Sequence, residues 1–293
     1  MKSLNETIKE TYGNNVNVVS RTQVSGGDIN LAYAVNLSDG SRVFMKANRP
    51  ENEDFFRAEA EALDIIRNTN TIRAPKVIGR GSDDTESFLL MEFIEPGPRK
   101  RSSYEELGEN LAMMHLADTK EMVHGGKYGF TKDNYSGSLH QDNTPCDSWI
   151  EFFRNCRLMP RFEQASNYFD TGDRKSIDRF LDRLDKLLIE PEKPSLIHGD
   201  LWGGNHLIDA LGHPWIIDPS AYVGHAEADI GMTELFGGFD SAFYDSYISA
   251  VGLDSGYKDR RDIYNLFHLL NHLILFGSGY FESVMSIVRR YAG

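Results

Sequence analysis

Two cysteines in 293 residues, Cys146 and Cys156, are too few for a disulfide framework, and neither lies in a metal-binding or nucleophile pattern. Positive charge is scarce as well. Against 44 Asp and Glu stand 31 Lys and Arg, a net charge of -13, which argues against a nucleic-acid or anionic-membrane partner. The one concentrated basic run, Arg99-Lys100-Arg101, follows Pro96-Gly97-Pro98 and reads as a solvated linker, or as a weak attractor for an anionic substrate. No apolar run is long enough to span a bilayer, and Met1-Lys2 leads into polar residues, so neither a membrane helix nor a signal peptide is expected. A cytoplasmic location is the expectation. Internal repeats and low-complexity tracts are also missing. With 40% hydrophobic and 11% aromatic residues, the chain can bury a substantial core as one large domain or two lobes.

What the chain does have is one stretch dense in chemistry, residues 195–239. Asp200 and Asn205 lie five apart on a segment containing Gly203 and Gly204, which suits neither helix nor strand and reads as a loop. Two short strand-like runs follow, His206-Leu207-Ile208 and Trp215-Ile216-Ile217, with Gly212-His213-Pro214 as the turn between them. Such a hairpin returns the chain and can bring Asp218 back to Asn205. A carboxylate and an amide oxygen are hard donors that suit magnesium, so both are candidate metal ligands. Asp200 is left to accept the proton of an incoming hydroxyl, the role of the Asp in a kinase-type D-x4-N loop. A lone Asp-x4-Asn is commonly a solvated or capping pair; here the ordered set of loop, hairpin and second Asp carries the reading.

The N-terminal third supplies complementary parts. Leu4, Ile8 and Tyr12 are spaced as one helix face, and strands are expected through 16–24, 31–37 and 42–46, with Asp39-Gly40 as a tight turn. Gly26 and Gly27 could let backbone amides approach phosphate, although a Gly-Gly hairpin tip is common without that role. Lys46 interrupts an otherwise buried strand and needs a partner. The helix expected over 54–67 offers Glu59 beside its apolar face, with Glu61 facing water. Two more strands flank Asp83-Asp84. The backbone of Glu92, Phe93 and Ile94 then forms a hinge that could hydrogen-bond adenine, ahead of a lobe boundary at Pro96-Gly97-Pro98. Beyond it the pattern turns helical, with capping boxes at Ser102-x-x-Glu105 and Ser103-x-x-Glu106, and helices starting near Trp149 and Ile177. The polar segment 125–144 is too long for a plain connector and reads as a functional loop. His268 and His272, one turn apart in the apolar run 262–276, lack a third ligand and read as satisfied core residues.

With these residues in view, the chain resembles the fructosamine kinase (ketosamine-3-kinase) family, within the aminoglycoside and choline kinase-like small-molecule kinases. The resemblance is carried by His198-Gly199-Asp200-Leu201-Trp202-Gly203-Gly204-Asn205, by Asp218-Pro219-Ser220-Ala221-Tyr222, and by Gly224-His225-x-Glu227-Ala228-Asp229 with Met232-Thr233-Glu234-Leu235-Phe236-Gly237-Gly238-Phe239. Leu269-Leu270-Asn271-His272-Leu273 and Asn134-x2-Gly137-Ser138 add to it.

It implies an α+β, bilobal protein-kinase-like fold. A small antiparallel sheet with one helix would form a nucleotide-binding lobe at 1–95, and a larger, mainly α, catalytic lobe would cover 96–293. It further implies transfer of the ATP γ-phosphoryl, with Mg²⁺, to O3 of a fructosamine or ribulosamine, free or on glycated protein, as deglycation repair. Asp200 is then the base, Asn205 and Asp218 the metal ligands, and Lys46 with Glu59 the phosphate-positioning pair. Trp202 is a candidate for stacking on the sugar or for packing the loop, and His225 and Glu227 are candidate substrate residues. Many relatives carry a redox-sensitive cysteine in the glycine-rich loop; Asp28 stands near that place, so no such switch is expected. Gly199 replaces the Arg of protein-kinase loops and no A-P-E follows Asp218, so control by activation-loop phosphorylation is not expected either. Two other functions remain open: a kinase of another hydroxylated metabolite, such as an amino sugar or choline-like alcohol, and a non-catalytic nucleotide-binding sensor.

Overall fold

The computed structural model describes residues 2–24 and 30–293. Gly26, Gly27 and Asp28 therefore lie outside the described residues.

The chain opens with helix α1 (Leu4–Tyr12), capped by a reciprocal Ser3–Glu6 box and ended at Gly13. Strands β1 (Val18–Val24), β2 (Leu31–Leu37) and β3 (Arg42–Asn48) follow, then helix α2 (Glu53–Asn68) and strands β4 (Val77–Ser82) and β5 (Ser87–Glu92). The five strands form one antiparallel sheet in the order β1-β2-β3-β5-β4. Its two faces are sorted by the period of two. Val43, Met45, Phe88 and Leu90 pack with Ile8 of α1 in a small core on one side. Lys46, the next residue after Met45, points to the other side, where α2 packs.

The remainder is mainly helical, with helices α3 (Arg101–His115), α4 (Trp149–Phe152), α5 (Met159–Gln164), α6 (Thr171–Leu181), α7 (Leu184–Leu187), α8 (Ala226–Leu235), α9 (Ser241–Val251), α10 (Tyr257–Phe276) and α11 (Phe281–Ala292). Three short antiparallel pairs are set among them. Strand β6 (Asn134–Ser136) pairs with β7 (Leu139–Gln141), β8 (Ser195–Ile197) with β11 (Tyr222–Gly224), and β9 (His206–Ile208) with β10 (Pro214–Ile216). A large core built on Phe152, Phe153, Tyr264, Phe267 and Leu270 joins these helices and continues to Leu63 and Ile66 of α2. This α+β, two-part architecture is the kinase-like fold expected from the sequence.

Several local expectations need correction. Ser102 and Ser103 lie inside α3, which starts at Arg101 after an N-cap, Lys100, that makes no side-chain capping bond. The Ser103 hydroxyl donates to Gly212 O, and Glu106 pairs with Arg73 and His213, so both members of that box are engaged with distant chain. The helix placed near Ile177 starts earlier, at Thr171, under an Asp170–Asp173 capping box. After α4 the chain runs through a π-helical stretch, Phe153–Leu158, before α5.

Candidate active site

The loop between β8 and β9 carries the first candidate residues. Gly199 has φ +79°, and a Cβ there would lie 2.3 Å from Ser220 O, so backbone conformation and crowding both require glycine. Asp229, in the first turn of α8, holds this loop from behind: the His198 N–H donates to Oδ2 at 2.6 Å and the Gly199 N–H to Oδ1 at 2.8 Å. His115 of α3 contacts the same carboxylate at 3.2 Å. Burial raises the Asp229 pKa, but these donors more than offset it and hold the group below its usual range. His198 Nε2 donates to Ile217 O at 2.8 Å, tying the loop to the chain just before Asp218.

Asn205 then fixes the base. Its Nδ2 donates to Asp200 O at 2.8 Å and to Asp200 Oδ2 at 3.1 Å, which leaves Oδ1 for another ligand. The β9–β10 hairpin turns at Gly212, and the Ile217 N–H donates to Asn205 O at 3.0 Å, so the return strand sets Asp218 beside Asn205. Asp218 adopts φ +58°, unusual for a residue with a side chain, and its carboxylate reaches Lys46 at 2.7 Å. Lys46 also meets Glu59 of α2 at 2.7 Å. Burial alone would lower the lysine pKa, but the two carboxylates override it and keep the group charged. Glu61 instead lies outside, pairing with Arg57 and Lys132.

Asp200 is pushed up to about 8, first by burial and then by the nearby Asp218 charge. Two acidic side chains crowd one end of a cleft of about 420 Å³ whose lining includes Lys46, Glu59, Asp200, Asn205 and Asp218. Asp218 pairs with Lys46 through Oδ1, and its carboxylate with the spare Asn205 Oδ1 offers hard oxygen donors that could hold a divalent cation.

Trp202 lines the cleft and is 39% exposed, yet it also packs the loop: a Cβ at Gly204 would lie 2.3 Å from its indole ring. The loop-packing contact is present, and the rest of the ring faces the cleft. Glu92 ends β5 with its N–H donated to Lys76 O, so that donor is unavailable to a ligand; Phe93 lies under the Arg42 guanidinium. None of Glu92, Phe93 and Ile94 is among the cleft lining.

His225 and Glu227 are not brought to the cleft. His225 Nδ1 accepts from the Glu227 N–H at the start of α8, and Glu227 is held bidentate by Arg260 at 2.6 and 2.8 Å. These buried residues border a separate cavity. Their polarity reflects a buried ion pair rather than contact with the cleft substrate.

Sequence reasoning assigned no role to Asp229, nor to the wall formed by α10. A carboxylate in the apolar run 228–232 was the available signal for Asp229, since a buried charge requires partners. The 125–144 segment does reach the cleft through Asn134, Tyr135, Ser136 and Gly137. A buried polar network anchors it. Asn134 donates to Ala221 O and accepts from Gln141 and Asn143, while Asn271 of α10 donates to Ser136 Oγ and accepts from Arg161. His268 and His272 line the same cleft, with His268 Nδ1 3.9 Å from Asp200 Oδ1; burial pulls His268 down to about 3, so it is neutral.

An antiparallel sheet whose Lys46 pairs with Glu59 of α2, set over a helical part bearing an Asp-x4-Asn loop and a second Asp, defines a kinase-like phosphotransferase. The sequence profile of the fructosamine kinase family matches residues 1–292, and the chain belongs to that family. It is 37% identical to a probable ketoamine kinase of Synechocystis, with 99% of this chain and 96% of the relative covered. It is 39% identical to the chloroplastic protein-ribulosamine 3-kinase of Arabidopsis thaliana, over 96% of this chain and 85% of that one. The crystal structure of a putative fructosamine-3-kinase from Haemophilus somnus superposes with a TM-score of 0.87 at 28% identity, covering 99% and 96% of the two chains. No helix among the described residues is long and apolar enough to cross a membrane.

Proposed function

We propose that the protein transfers the γ-phosphoryl group of ATP to the 3-hydroxyl of a ketosamine, a fructosamine or ribulosamine carried by a small amine or a glycated protein. The observation that carries this reading is the Asp200 carboxylate, fixed by Asn205 in the cleft that also holds the Lys46–Glu59–Asp218 cluster. Asp200 accepts the hydroxyl proton as the oxygen attacks the γ-phosphorus; the new O–P bond forms, the bond to the β-phosphate oxygen breaks, and ADP leaves. Lys46, held by Glu59, turns from Asp218 to the phosphates. Asn205 and Asp218 would hold Mg²⁺, which would supply charge neutralisation for the phosphates and for the Asp218 carboxylate that helps keep Asp200 protonated. The backbone of Phe93 and Ile94 would meet the adenine outside the lining of this cleft. In this reading residues 1–95 are the nucleotide lobe and 96–293 the catalytic lobe, the setting is cytoplasmic, and the instability of a 3-phosphorylated ketosamine makes the reaction a deglycation repair.

Coupled ADP release from ATP and Mg²⁺, with fructosyl-lysine, ribulosyl-lysine and a panel of unrelated alcohols, tests this. Turnover confined to the ketosamines and lost in Asp200→Asn is the expected result. Turnover only on an amino sugar or a choline-like alcohol would overturn the substrate while keeping the chemistry.

A further inference from the structure

Beyond the reacting groups, one wall of the cleft has no role in the phosphoryl step. Among the described residues, the large exposed apolar side chains include three aromatic ones, Trp202 (39%), Phe236 (41%) and Phe276 (52%), and all three line this cleft. Rings rarely stay exposed together without something to cover them. Phe236 and Phe276 belong to a cluster centred on His272: its ring centroid lies 4.8 Å from Phe236, 5.3 Å from Phe276 and 5.0 Å from Tyr280.

The spacing along α10 aims this cluster at the substrate. His268 touches Asp200, and His272 and Phe276 follow at one and two helical turns, about 6 and 12 Å along the axis. A hydroxyl delivered to Asp200 therefore has the cluster one turn away. In a ketosamine the atoms one step from the 3-hydroxyl lead back to carbon 1 and its amine, which is a secondary ammonium near neutral pH.

The charges of the cleft fit that group. Its described lining contains three acidic side chains, Glu59, Asp200 and Asp218, against one lysine, Lys46, which is committed to Glu59 and Asp218, so these groups carry net negative charge even with Asp200 protonated. The field is thus negative. No carboxylate sits on the α10 wall itself, where Asn271 is engaged with Arg161 and Ser136. A cation drawn into the cleft meets π faces at that wall, not a counter-ion.

Taking the ketosamine reaction as given, we infer that Phe236, His272, Phe276 and Tyr280 form the subsite for the substrate's ammonium and the first methylenes of its alkyl arm, held by cation–π and apolar contact. Phe276, the most exposed of the four, is where the arm leaves the cleft. The subsite sets specificity for N-alkyl ketosamines over neutral ketoses of the same shape.

The test compares a 1-butylamino-1-deoxyketose with its neutral 1-O-butyl ether, by turnover and by calorimetric binding without nucleotide. The wild type should bind the amine more tightly than the ether. Phe276→Ala should raise KM and Kd for the amine by about tenfold with kcat little changed. Phe276→Leu keeps apolar area without a π face, so it should restore the ether and leave the amine weak; Phe276→Trp should restore the amine. Equal losses for amine and ether, or no loss in Phe276→Ala, would overturn the assignment. If the wild type turns over neither compound, the proposed reaction fails, and the amine-versus-ether difference in binding still decides the subsite.

Discussion

Replacing Asp200 with Asn should make the protein more stable as it makes it inactive, and the gain should depend on pH. The side chain sits beside Asp218 in a partly desolvated position, and its pKa is pushed from 3.8 to about 8. A folded-state pKa above the unfolded one means that the fold prefers the protonated carboxyl. Stability is therefore present in acid and lost as pH rises from about 4 to about 8. At about 1.4 kcal/mol per pH unit the ceiling on that loss is ~6 kcal/mol. The carboxyl is 26% exposed, so solvent screening reduces the expected effect to about 2 kcal/mol. Asn keeps an oxygen for the Asn205 amide and cannot ionise. Urea unfolding in EDTA, without nucleotide, should show Asp200→Asn gaining about 2 kcal/mol more at about pH 8.5 than at about pH 5. Turnover should fall by about 10²-fold or more. A variant less stable than wild type at both pH values, or a gain that does not change with pH, would refute the claim that Asp218 and burial hold this carboxyl protonated.

The other interactions make separable predictions. Asp229→Asn should place an amide donor against the His198 or Gly199 N–H, costing about 2 kcal/mol in denaturant unfolding and lowering kcat with little change in KM. Glu227→Gln should cost about 3 kcal/mol by leaving Arg260 buried without its counter-charge, while kcat and KM of the folded fraction stay at wild-type values, because the pair lies away from the cleft. Lys46→Met leaves Glu59 and Asp218 without their shared cation, so stability should fall and KM for ATP should rise; a stability gain in this variant would contradict the ion-pair geometry. Gly204→Ala drives a methyl into the Trp202 ring, and should shift the tryptophan fluorescence and raise KM for the acceptor.

Much of this was legible because it is local. The β9–β10 hairpin followed from short apolar runs around Gly212-His213-Pro214, and once the chain returns on itself Asp218 has nowhere to go but beside Asn205. Lys46 could be paired with Glu59 because a strand charge and a charge beside the apolar face of the next helix were both in need of a partner. What failed depended on residues far apart in the chain. Glu227 looked available until Arg260, 33 residues on, was seen to hold it. Ser103 and Glu106 fit a capping pattern, but Gly212 and His213 from the hairpin claim them. The aromatic wall of α10 was invisible for a different reason: helical periodicity reports that one face is apolar, and the same pattern serves a face against a core and a face against a cleft.

The Gly97 N–H donates to Ile208 O and the Ala210 N–H to Glu95 O, so the strap leaving the sheet is sewn to the hairpin that carries Asn205 toward Asp218. A strap fastened in this way is not a free pivot. Any displacement of the strap relative to the hairpin must break these two bonds or carry the hairpin, and with it Asn205 and Asp218, along. Strap and hairpin thus form one hydrogen-bonded unit, and hydrogen exchange at the Gly97 and Ala210 amides should report the two bonds opening together, as a single event.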